Sequence, residues 1–108
     1  MLVELDAFSG RENPKWRLEA TDAEAVRRLL SRLGVSSGEP AGPPGLGYRG
    51  FILRDGANTY RVYKGHVRVG HLVLADPSYS IERFLLERAP DEVAPLQERI
   101  ARELGQDR

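Results

Sequence analysis

Thr59-Tyr-Arg-Val-Tyr-Lys-Gly-His-Val-Arg-Val69 is the stretch on which the fold turns. Its first half is rich in β-branched and aromatic residues, which fit a pleated, half-buried chain. Lys64-Gly65 interrupts the run and reads as a tight turn into His66-Val-Arg-Val69. Alternation then assigns the faces. Tyr60, Val62, Val67 and Val69 are expected to face helices, and Arg61, Tyr63, His66 and Arg68 to face solvent.

Working outward, Phe51-Ile-Leu53 is continuously apolar, as for a central strand, and Asp55-Gly-Ala-Asn58 is a turn. Downstream, Leu72-Val-Leu74 is expected to continue the strand past a bulge at Gly70, until Asp76-Pro77 stops it. Upstream, residues 2–8 alternate, with Val3, Leu5 and Ala7 opposite Glu4 and Asp6. Ser9-Gly-Arg-Glu-Asn-Pro14 is a turn cluster, and Trp16 and Leu18 share a face beyond it. These two segments read as a hairpin with a longer loop.

Helical patterns fill the rest. Thr21-Asp-Ala-Glu24 has the form of a capping box, with Thr21 as N-cap. Val26, Leu29, Leu30 and Leu33 follow as one apolar stripe, which Gly34 ends. Residues 35–47 hold too much proline and glycine for a regular element and read as a long internal loop. Near the C-terminus, Ser78 or Ser80 is placed to cap a helix bearing Ile81, Phe84 and Leu85. Val93, Leu96, Ile100 and Leu104 give a last helix its stripe, with Pro95 in its first turn and Gly105 at its end. The order predicts an α+β fold. One domain over residues 1–108 is expected to hold an antiparallel sheet of four to six strands, with three helices packed on one face.

Composition narrows the function. The chain has 108 residues, a formal net charge of zero and no cysteine. Bulk attraction to nucleic acid or membrane is therefore not expected, and thiolate chemistry is excluded. The lack of cysteine fits a reducing cytoplasm. No apolar run approaches the ~20 residues of a membrane-spanning helix, and the first residues lack the basic region of a secretory signal. Charge is unevenly spread. Residues 44–72 carry Arg49, Arg54, Arg61, Lys64 and Arg68 against Asp55 alone, whereas residues 73–108 carry more acids than bases.

The chemical motifs are weak. Gly45-Leu-Gly-Tyr-Arg-Gly50 has dinucleotide-fingerprint spacing, but a Pro-rich loop precedes it and a strand follows. It is expected to lead the chain into the central strand, with Tyr48 packed. His66 and His71 are the only histidines, too few for a zinc site. Glu4 and Asp6 share a strand face, where they serve as solvent-facing charges, as partners for Arg11 or Lys15, or as an acid–base pair. The segment Phe8-Ser-Gly-Arg-Glu-Asn-Pro-Lys-Trp16 holds the sole tryptophan beside an arginine and an asparagine. Arginine and tryptophan are common binding anchors.

Val3-Glu-Leu-Asp-Ala-Phe-Ser-Gly-Arg-Glu-Asn-Pro-Lys-Trp16 and Pro43-Pro-Gly-Leu-Gly-Tyr-Arg-Gly-Phe51 resemble two signatures of a family of short bacterial proteins. These are the small peptide-binding proteins of crocagin biosynthesis, in which a ribosomal peptide becomes a pyrroloindoline alkaloid. The resemblance implies a protein that binds a precursor peptide and assists its modification without being an obvious enzyme. It supplies no catalytic motif. The expected partners are that precursor peptide, of acidic character if the basic strands receive it, modifying enzymes of the same pathway, and a second copy of the chain. No cofactor, metal, nucleic acid or membrane enters this expectation.

The residues themselves nominate the peptide contacts: Arg11, Asn13, Trp16, Tyr48, Arg49, Arg61, Tyr63, His66 and Arg68. Two other readings stay open. One is a small cyclase-type enzyme working by positioning and proton transfer through Glu4 or Asp6 with a histidine. The other is a structural subunit whose sheet edge pairs with itself.

Overall fold

A computed structural model describes residues 1–7, 12–36 and 48–106. The strands are β1 (Leu2–Leu5), β2 (Lys15–Arg17), β3 (Gly34–Val35), β4 (Phe51–Asp55), β5 (Asn58–Tyr63), β6 (His66–Val69) and β7 (Leu72–Ala75). The helices are α1 (Ala20–Ser31), α2 (Ser80–Glu87) and α3 (Ala94–Gln106), with a 3-10 turn at Asp91–Val93. The strands form one sheet in the order β2-β1-β4-β5-β6-β7-β3, and each neighbouring pair is antiparallel. The fold is therefore α+β as expected, but with seven strands rather than four to six.

The extra strand is β3. The helix ends at Ser31 with Arg32 as its C-cap, before the expected Gly34. Gly34 instead pairs with Ala75, while Val35 pairs with Leu74 and the Ser36 amide donates to the Val73 carbonyl at 2.7 Å. Two residues show no periodicity, so only the partner strand makes this segment β. The remainder of the 35–47 loop, from residue 37, lies outside the described residues.

Two-residue turns fold β4 to β7 into a meander. Lys64 and Gly65 have φ of 48° and 79°, and Tyr63 pairs with His66 across them. Positive φ at both central positions suits the right-handed twist of a hairpin. Gly70, with φ of 57°, does not form the expected bulge. Gly70 and His71 reverse the chain, so that Val69 pairs with Leu72.

One face of the sheet carries the core. Val3, Leu5, Phe51, Leu53, Val62 and Val67 are buried there with Val26, Leu30, Ile81, Leu85, Ile100 and Leu104 from the helices. Each fully buried aliphatic or aromatic side chain contributes about 1.5–3 kcal/mol, so this shared layer is the main stabilising term.

The helix starts depart from expectation. α1 begins at Ala20 with an extended Glu19 as N-cap and no side-chain cap bond, rather than at a Thr21 cap. The amide of Leu18 still pairs with the Met1 carbonyl, and the Ala23 amide already donates to the Glu19 carbonyl. Strand thus passes into helix before Thr21 is reached. At α2, neither Ser78 nor Ser80 is the cap. Tyr79 holds that position in the left-handed region, with φ of 58°. The buried carboxylate of Asp76 accepts from the Ile81 amide at 2.9 Å and from the Ser80 hydroxyl at 2.7 Å. α3 runs through Gly105 to Gln106. Among the described residues, no helix is long and apolar enough to cross a membrane.

Candidate functional site

The face of the sheet away from the helices carries the polar chemistry. Strand register aligns Lys15, Glu4, Ile52, Arg61, Arg68 and Val73 in one row across six strands. Ile52 is buried in this row although it points away from the core.

At the β1–β2 end the charges are interlocked. The Asn13 amide donates to Glu4 Oε2 at 2.9 Å and to Asp6 Oδ1 at 3.4 Å, while Asn13 Oδ1 accepts from the Ala7 amide at 3.3 Å. Arg54 donates to Glu4 Oε1 at 3.0 Å, and Arg49 meets Asp6 Oδ1 through Nε at 3.0 Å and its terminal nitrogen at 2.9 Å. The Asn13 donor, followed by Arg54, holds the Glu4 carboxyl below the usual carboxylate range despite partial burial. Asn13 and Arg49, nominated as peptide contacts, thus tie the β1–β2 hairpin to the start of β4. Among the described residues, the acids that Arg49 and Arg54 meet are Asp6 and Glu4, both near the N-terminus.

The centre of the face is different. Arg61 and Arg68 are direct cross-strand partners, both exposed, and neither meets a carboxylate among the described residues. Like charges placed directly opposite destabilise a sheet. The next pair along the same two strands is Tyr63 with His66, each half-buried. Nδ1 of His66 is buried with no hydrogen-bond partner among the described residues. Four nominated residues are therefore brought together as two adjacent pairs on one face, as the alternation predicts.

The aromatic candidates sit deeper. Tyr48 is buried at 7% exposure, edge-on to Phe51 at 6.0 Å and tilted against Tyr63 at 5.8 Å. Trp16 is half-buried and meets Phe51 at 90° and 6.5 Å. Tyr48 therefore offers no surface for a peptide; it anchors the segment that leads into β4. Just after it, Gly50 has φ of 94°, and a Cβ there would lie 2.0 Å from the Val62 carbonyl oxygen.

Glu82 escaped the sequence reading. It is fully buried on α2, where one oxygen accepts from the Tyr48 hydroxyl and the other from the Gly65 amide at 2.8 Å. The available signal was its i, i+4 spacing from the buried Leu86.

The chain matches no protein-family model, no curated protein and no solved structure.

Function must therefore be read from the surface itself. Arg11, the remaining nominated contact, lies outside the described residues. Among the described residues, no group of three or more His, Asp or Glu stands close enough to hold a metal ion. Glu4 is a weak proton acceptor, because its hydrogen bonds favour the ionised form and lower its basicity. The arrangement offers two things to a ligand: cationic donors on an exposed sheet face, and strand edges.

Proposed function

We propose that this chain is a non-catalytic binding protein for an acidic peptide, which it holds on the outer face of its sheet. The observation that carries the reading is the Arg61–Arg68 pair. Two exposed guanidinium groups opposite one another repel in the free protein, and a bound carboxylate removes that repulsion. Tyr63 and His66, both half-buried, continue the same strand face beside the pair. The motif resemblance supplies the ligand class: a ribosomal precursor peptide of crocagin-type pyrroloindoline biosynthesis, carried while cytoplasmic enzymes of the pathway modify it.

The test is fluorescence anisotropy with a labelled peptide of alternating glutamate and valine. Wild type is compared with Arg61→Glu and Arg68→Glu at low and high salt. Binding is expected to weaken by about tenfold or more in either variant, and to weaken with salt as screening shortens to ~8 Å at physiological ionic strength. Affinity unchanged in both variants and at both salts would remove the arginine pair from the site.

A further inference from the structure

The outer edge of β2 has a defined hydrogen-bonding pattern. Val3 faces Trp16, and the flanking bonds run from the Leu5 amide to the Pro14 carbonyl and from the Leu18 amide to the Met1 carbonyl, each at 3.0 Å. Backbone groups alternate in direction along an antiparallel strand. Pro14, Trp16 and Leu18 therefore spend theirs on β1, while the N–H and C=O groups of Lys15 and Arg17 point away from the sheet. No strand pairs with this edge among the described residues. The side chains of Lys15 and Arg17 are both exposed, on the same outer face as Arg61 and Arg68.

Charge decides what such an edge accepts. A second copy pairing antiparallel about Trp16 would set Lys15 against the partner copy's Arg17, and Arg17 against its Lys15. Both pairs are like-charged and directly opposed, which disfavours self-pairing. An incoming strand with carboxylates at alternate positions reverses the sign of both contacts. It would place its apolar residue beside Trp16, on the helix side of the sheet. The opposite edge, β3, has only two residues and offers far less backbone.

We infer that β2 receives an extended acidic segment as an eighth, antiparallel strand, with carboxylates opposite Lys15 and Arg17. This rests on the acidic-peptide reading above and gives that peptide its register. β2 lies three strand spacings from β5, or roughly 14 Å, so the edge and the Arg61–Arg68 pair are separable contacts.

The experiment uses the full chain and the same labelled glutamate–valine peptide in three forms: unmodified, N-methylated at the glutamates, and N-methylated at the valines. In antiparallel addition the residues opposite Lys15 and Arg17 donate their amides to the protein, so methylated glutamates should cost about tenfold or more in affinity. Methylated valines should leave affinity nearly unchanged. Amide hydrogen exchange should show Lys15 and Arg17 gaining protection when the unmodified peptide binds. Binding with equal effects from both methylation patterns, or with no new protection at those two amides, would overturn the edge site and leave the acidic-peptide reading standing. Failure of the unmodified peptide to bind at all would overturn both.

Discussion

The Tyr48 hydroxyl donates to the carboxyl of Glu82, a residue 34 positions later, and so joins the segment before β4 to the middle of α2. Both side chains are buried, and the second Glu82 oxygen is held by the Gly65 amide of the β5–β6 turn. A polar group buried without its partner is destabilising by about 1–3 kcal/mol. Tyr48→Phe keeps the ring contacts with Phe51 and Tyr63 and removes only this donor. Urea denaturation should show the unfolding free energy falling by that amount, through a lower midpoint at unchanged slope.

Gly50 and Gly56 separate backbone conformation from space. Both have positive φ, but a Cβ at Gly56 meets nothing within 4 Å, whereas one at Gly50 meets the Val62 carbonyl oxygen at 2.0 Å. Gly56→Ala should cost only the left-handed penalty, about 1–2 kcal/mol. Gly50→Ala should cost roughly twice as much or more, because the obstructing atom belongs to the neighbouring strand's backbone. Thermal unfolding of the two variants side by side checks the order.

Arg61→Glu should move stability and binding in opposite directions. It replaces a repelling cross-strand pair by an attracting one, worth about 0.2–1 kcal/mol, so the melting temperature should rise slightly. Affinity for the acidic peptide should fall. If the variant lost stability and affinity together, Arg61 would be a structural residue rather than a binding one.

The Glu4–Asn13 bond should appear in the acid limb of stability. The folded-state pKa of Glu4 lies below its ordinary value, so its contribution is complete above the unfolded pKa and is lost as pH falls through the folded one. Asn13→Ala should cost roughly 1–2 kcal/mol near neutrality. The gap from wild type should narrow as pH falls through the folded-state pKa and Glu4 takes up its proton. The part due to the Ala7 amide bond should persist. Unfolding free energies measured across that range test the sign.

The fold was legible where a local pattern and its tertiary partner agree. Alternation through Arg61, Tyr63, His66 and Arg68 predicts their shared face, because a two-residue turn fixes the register. The stripe through Val26 and Leu30 predicts the buried side of α1. Legibility failed where the deciding partner is distant in sequence. β3 exists only because β7 accepts it. Thr21 and Glu24 have the right spacing for a cap, but strand pairing at Leu18 starts the helix earlier. A single glycine inside an apolar run fits a bulge as well as the first position of a two-residue turn, and only the pairing of Val69 with Leu72 decides for the turn at Gly70-His71. At the candidate site, composition marks Arg49, Arg61 and Arg68 alike as basic. Only the register shows that Arg49 is matched by Asp6 while Arg61 is set against Arg68.

The strand order carries a consequence for how the chain assembles. β4 to β7 are consecutive in sequence and adjacent in space, but the strands flanking them, β1 on one side and β3 on the other, both come from residues before 36. α1, about 18 Å long at 1.5 Å per residue, links β2 at one margin to β3 at the other. A chain emerging from the ribosome N-terminus first makes both flanks before the strands they cover. Its short-range hairpins close early, while the two flanking seams wait on long-range encounters. Until those seams close, the meander exposes a bare edge on each side, and each is open to pairing with another chain. Refolding yield should therefore depend on protein concentration more steeply than native stability does.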